Sequence, residues 1–153
     1  MATFDPNDDK YKCWCCCGAH VATVARVLIV LGIIEWLITM IYEGVMIDLV
    51  GLPICVLGVF AVFKEKRTPL LVYMGLETVS SILYLIVYLK ETADEEKEHK
   101  GDPEFAYAYE GAVVGCLVAA AIECLILRAY WKLSNFIKDR ETASFIDVKY
   151  ETA

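Results

Sequence analysis

The chain has 153 residues, 58% of them hydrophobic, with a mean hydropathy of +0.51 and a formal net charge of −7. A typical soluble domain is about 45–50% apolar, and an acidic balance gives no electrostatic footprint for nucleic acid. An ordinary soluble enzyme, a nucleic-acid binder and a disordered chain are excluded on these grounds. No segment outside the apolar runs is long enough to bury a catalytic core.

In chain order, residues 1–19 read as a cytosolic, cysteine-rich N-terminus. The opening MATFDPNDDK is acidic where a signal peptide needs positive charge, so the apolar run that follows reads as a retained span. Four of the seven cysteines, Cys13, Cys15, Cys16 and Cys17, stand just before that run. Juxtamembrane cysteines are candidates for palmitoylation. A weaker alternative is a zinc-type set of Cys13, Cys16 and His20. Adjacent cysteines do not all converge on one tetrahedral ion, so neither a metal nor a cofactor is expected.

Four apolar runs have the length of membrane spans: 20–42, 46–63, 69–89 and 111–131. Glu43–Val45 and Lys64–Thr68 are short turns, and 90–110 is a longer acidic loop. The expected fold is therefore all-α, an integral membrane four-helix bundle. Placing the N-terminus and C-terminus in the cytosol puts eleven of the 14 Lys and Arg residues inside and leaves Lys90, Lys97 and Lys100 outside. The loop 90–110 is then lumenal or extracellular. No Asn-x-Ser/Thr occurs anywhere in the chain, so N-glycosylation is not expected.

Ionisable groups within spans are costly and face protein or water rather than lipid. Glu35, Glu77, Glu123 and Arg26 are the candidates here. Glu77 shares a helical face with Tyr73, Ser80, Ser81, Tyr84 and Tyr88. Gly111, Gly115, Ala119 and Glu123 form a small-residue seam on the fourth span, and Gly32 shares a face with Glu35 on the first. The second span offers Gly51, Cys55, Gly58 and Pro53. Arg26 and Glu35 lie on opposite faces about 13 Å apart, so Arg26 is expected to snorkel to the headgroups or to pair with Glu77 or Glu123. The three glutamates read as hydrogen-bonding glue between helices or, alternatively, as a proton- or cation-coupled path. The tail, 132–153, reads as short, polar and mobile.

Cys13–Val21 (CWCCCGAHV) runs straight into the first of four spans, and Arg128-Ala129-Tyr130-Trp131 closes the last. In these motifs the chain resembles the lysosome-associated protein transmembrane family, whose members carry a cysteine-rich motif ending in His-Val before the first span. The resemblance implies residence in endosomes or lysosomes and work as an adaptor or regulator of membrane-protein sorting or stability. No proline follows Pro103, so the Pro-rich tyrosine motifs by which that family's tails recruit WW-domain ubiquitin ligases are missing. MARVEL-type four-span vesicle proteins share the plan but not the cysteine cluster.

The sequence carries no nucleophile–base pairing and no phosphate loop, so no enzyme is expected. The expected partners are the lipid bilayer and other membrane proteins, with a homo-oligomer left open and the plasma membrane as the alternative location. A small transporter or channel subunit and a structural vesicle protein are the competing functions.

Overall fold

In the computed structural model, residues 4–13, 18–43, 51–98 and 108–151 are described. A single 3-10 turn, Asp9–Tyr11, leads into a short antiparallel hairpin of β1 (Lys12–Cys13) and β2 (Ala19–His20). Lys12 lies opposite His20 and Cys13 opposite Ala19. Gly18, at φ +77, returns the chain to β2 with its N–H donated to the Cys13 carbonyl at 3.3 Å, a backbone conformation that glycine adopts without steric cost. Among the described residues four helices follow: α1 (Val21–Glu43), α2 (Gly51–Phe63), α3 (Arg67–Glu98) and α4 (Ala108–Glu151). The described chain is thus mostly helical. The hairpin is an addition to the all-α expectation, because strands of two residues are too short to show an alternating pattern.

Local chemistry sets the helix ends. His20 caps α1: its Nδ1 accepts the Ala22 N–H at 3.2 Å, the bond that an N-cap side chain makes to the first turn. At the other end of α2, Lys66 N–H donates to the Ala61 carbonyl at 3.1 Å and Glu65 takes φ 48. This is a Schellman-type stop, with Glu65 in the left-handed position where glycine is commonest. Pro69 sits in the first turn of α3, where its missing N–H is not needed. The first turn of α4 is capped from α3, by the Glu96 carboxylate accepting the Tyr109 N–H at 3.1 Å.

At 1.5 Å per residue, the 23, 32 and 44 residues of α1, α3 and α4 span about 35, 48 and 66 Å, against a hydrocarbon core of about 30 Å. All three are long and apolar enough to cross a membrane. The 13 described residues of α2 reach about 20 Å; residues 46–50 of the second apolar run lie outside the described residues, as do 99–107 of the acidic loop. Exposed apolar side chains ring the long helices, among them Val27, Leu31, Leu83, Ile86, Leu117 and Leu125. In water such surface is a liability; in lipid it is matched to the solvent.

The chain divides into two compact units, Met1–Met74 with Leu127–Ala153, and Gly75–Ile126. Among the described residues, the first unit holds most of the buried side chains. Gly58 of α2 is a close approach: a Cβ there would lie 2.7 Å from Tyr73 Cε2 and 2.8 Å from Ile29 Cδ1. The Tyr73 ring in turn meets Tyr130 edge-on, with centroids 5.5 Å apart. The segment expected to be a mobile tail is instead helical through Glu151. Its residues Leu133, Ser134, Phe136 and Ile137 are buried, and with Ala129 and Tyr130 at the end of the expected fourth span they are spaced at three and four residues as one face of a helix requires. In the second unit, Ala112 and Cys116 are the buried residues among those described.

Candidate functional site

Glu65 joins three parts of the first unit. Its side chain is 15% exposed, and Arg26 Nη2 donates to its Oε1 at 2.8 Å. Arg140 Nη1 donates to the other carboxylate oxygen. One carboxylate therefore ties the first turns of α1 and the far part of α4 to the α2–α3 turn. Both arginines also lie near aromatic rings, Arg26 5.9 Å from Phe63 and Arg140 5.7 Å from Phe136, close enough for a cation–π contribution.

A second set of contacts fastens the N-terminal segment to α4. The Tyr11 hydroxyl donates to Asp139 Oδ2 at 2.6 Å, and Lys10 Nζ lies 3.2 Å from the same oxygen. Lys132 Nζ donates to the Lys12 carbonyl at 2.9 Å. Phe136 sits among Phe4, Tyr11 and His20, with centroids 5.7, 5.0 and 4.9 Å away. Tyr11 is 3% exposed. Burial, and then its hydrogen bond to Asp139, push the Tyr11 hydroxyl above its ordinary pKa. The Lys10 ammonium is raised by its contact with Tyr11 and by Asp139.

The placement of the residues singled out by sequence is mixed. Arg26 pairs with Glu65, not with Glu77 or Glu123, because its long side chain reaches back along α1 to the turn. Glu35 lies on α1, exposed; Glu77 and Glu123 are half-buried and belong to the Gly75–Ile126 unit. Among the described residues, nothing lies within 4 Å of a Cβ built on Gly32, Gly111 or Gly115, and Ala119 is exposed. The close approaches fall at Gly58 and at Gly51, where a Cβ would meet Trp36 Nε1 at 2.6 Å.

Cys13 is buried in the hairpin; Cys15, Cys16 and Cys17 lie outside the described residues. Both His20 nitrogens are engaged, Nδ1 by the Ala22 N–H and Nε2 with the Pro6 carbonyl at 3.1 Å, so a metal would have to displace one of them. Among the described residues no three His, Cys, Asp or Glu side chains are grouped to hold a metal ion. Glu65, Asp139 and Arg140 were not singled out by sequence. Glu65 sits in a short charged turn, and its partners are 39 and 75 residues away.

The chain matches no family model, no characterised protein and no solved structure.

Proposed function

We propose that this is a non-enzymatic, multi-pass membrane protein of endosomes or lysosomes, with both termini cytosolic, that acts as an adaptor or regulator of the sorting or stability of other membrane proteins. The observation that carries the reading is the fastening of the N-terminal segment, the α2–α3 turn and the far part of α4 to one another through Glu65 and Asp139. An ordered polar surface beside apolar helices suits a protein that presents itself to partners; a mobile tail would not supply it. Contact among these three segments also supports a topology with both termini on one side, in agreement with the distribution of Lys and Arg. Endosomal or lysosomal residence rests on the resemblance carried by Cys13–Val21. The exposed Gly111, Gly115 and Ala119 offer a face on which another membrane helix, from a partner or a second copy, approaches closely. Lipidation of Cys15, Cys16 and Cys17 would hold the N-terminal segment at the inner leaflet.

Proximity labelling from the C-terminus tests this reading by reporting location and neighbours together. Enrichment of endolysosomal membrane proteins supports it, and exclusive labelling of plasma-membrane neighbours contradicts it. The second reading, proton coupling through Glu77 and Glu123, draws on their lying half-buried in one unit. Proton-linked flux by the purified, reconstituted chain that disappears in Glu77→Gln would replace the adaptor reading with a transporter.

A further inference from the structure

Lys64, Glu65, Lys66 and Arg67 are four consecutive charges running from the turn after α2 into the first residue of α3, and the fold treats them unequally. The one acid among them is turned inward and held by two arginines. Two of the cations, Lys64 and Lys66, are left exposed; Arg67 is half-buried, and its Nε is buried with no hydrogen-bond partner among the described residues. Had Glu65 pointed outward, it would have neutralised a lysine beside it. Its carboxylate is paired with Arg26 and Arg140 instead of with its basic neighbours in the turn.

We propose that this turn is a binding surface for anionic phospholipid headgroups, formed by Lys64, Lys66 and Arg67 and cleared of its acid by the Arg26–Glu65–Arg140 clamp. The inference rests on the membrane insertion proposed above. The apolar run of α2 ends at Phe63 and that of α3 begins at Pro69, so the three cations lie between two apolar runs, which sets them at headgroup depth. Phosphatidylserine presents a phosphate and a carboxylate with net negative charge, and a guanidinium binds either group through paired hydrogen bonds. A zwitterionic phosphatidylcholine surface offers no net charge to attract them. Each basic residue at an anionic surface contributes about a fivefold preference, screened by salt.

The test uses the full chain reconstituted in phosphatidylcholine vesicles, with trace spin-labelled phosphatidylserine or spin-labelled phosphatidylcholine. Electron paramagnetic resonance gives the relative association of each lipid with the protein. Phosphatidylserine is expected to be preferred, and the preference is expected to fall toward that of phosphatidylcholine in high salt and in the Lys64→Gln/Lys66→Gln/Arg67→Gln variant. Because Arg67 is half-buried, the Lys64→Gln/Lys66→Gln variant, which changes only exposed side chains, is expected to lose part of the preference with unaltered helicity. Lys90→Gln/Lys97→Gln, at the opposite end of α3, is expected to change nothing. Equal association of the two lipids, or a preference that survives the triple substitution, overturns the proposal. Competition by inorganic phosphate also overturns it, by assigning the cations to a soluble anion instead. If the protein resists carbonate extraction but shows no lipid preference, insertion stands and this inference fails; if it does not insert, both fail.

Discussion

Replacing Glu65 separates two opposing terms that the structure places on one residue. Its carboxylate is largely buried between Arg26 and Arg140, whose side chains remain 45% and 41% exposed. Fully exposed ion pairs contribute about 0.2–1 kcal/mol, and hydrogen bonds to charged groups about 1.5–3 kcal/mol. Partial burial puts each of these pairs near 1 kcal/mol, or roughly 2 kcal/mol together. Against that stands the left-handed backbone at φ 48, which costs a non-glycine residue about 1–2 kcal/mol. Glu65→Ala keeps the backbone cost and loses both pairs, so it should destabilise by about 2 kcal/mol. Glu65→Gly loses the pairs but relieves the backbone, so it should destabilise by only about 1 kcal/mol. Combining Glu65→Ala with Arg26→Ala or Arg140→Ala should show a coupling of about 1 kcal/mol in each cycle. The assay is reversible unfolding in mixed detergent micelles, followed by tryptophan fluorescence. A Glu65→Ala variant as stable as the wild type refutes the clamp, and a Glu65→Gly variant no better than Glu65→Ala refutes the backbone argument.

Gly58→Ala forces a Cβ against the Tyr73 ring and Ile29 and should cost about 1–3 kcal/mol in the same assay, whereas Gly115→Ala, facing open space, should be neutral or gain up to about 1 kcal/mol. His20→Ala removes the α1 cap and should cost about 1 kcal/mol, seen as faster amide exchange at Ala22, with His20→Asn restoring most of the protection. Because Tyr11 has a raised pKa, its contribution to docking is full below the unfolded value of about 10 and is lost as pH rises through the higher folded value. Ultraviolet difference titration of the wild type against Tyr11→Phe should therefore show one tyrosine ionising above the ordinary range; a difference curve centred near 10 would contradict the buried hydrogen bond.

The long helices were legible because apolar composition sustained over twenty residues has few other uses. Local signals also marked a turn at 64–68, although α3 already begins at Arg67. The assembly at the end of the first unit was harder to read for a physical reason: its contacts join residues far apart in sequence. Arg26 had plausible acids within the apolar runs, and nothing local favoured Glu65, an acid among basic neighbours. His20 looked like a ligand because the imidazole that caps a helix is the same group that binds zinc. The packed face of α4 beyond Trp131 did leave a trace, in the spacing of Leu133, Phe136, Ile137 and Arg140, but frequent charges around it mimicked a solvated tail. The small residues Gly111 and Gly115 illustrate the converse: their spacing shows that a close approach is permitted, not that it occurs within one chain.

Membrane topology is the most direct test of the central claim. The native sequence has no Asn-x-Ser/Thr, so glycosylation of an introduced acceptor in microsomes is read against no background. An acceptor placed between residues 99 and 107 should be glycosylated, while acceptors placed before Tyr11 or after Thr142 should stay unmodified. Glycosylation at either terminus, or protection of the loop together with both termini, would contradict a chain whose N-terminal segment and α4 end meet on the cytosolic side.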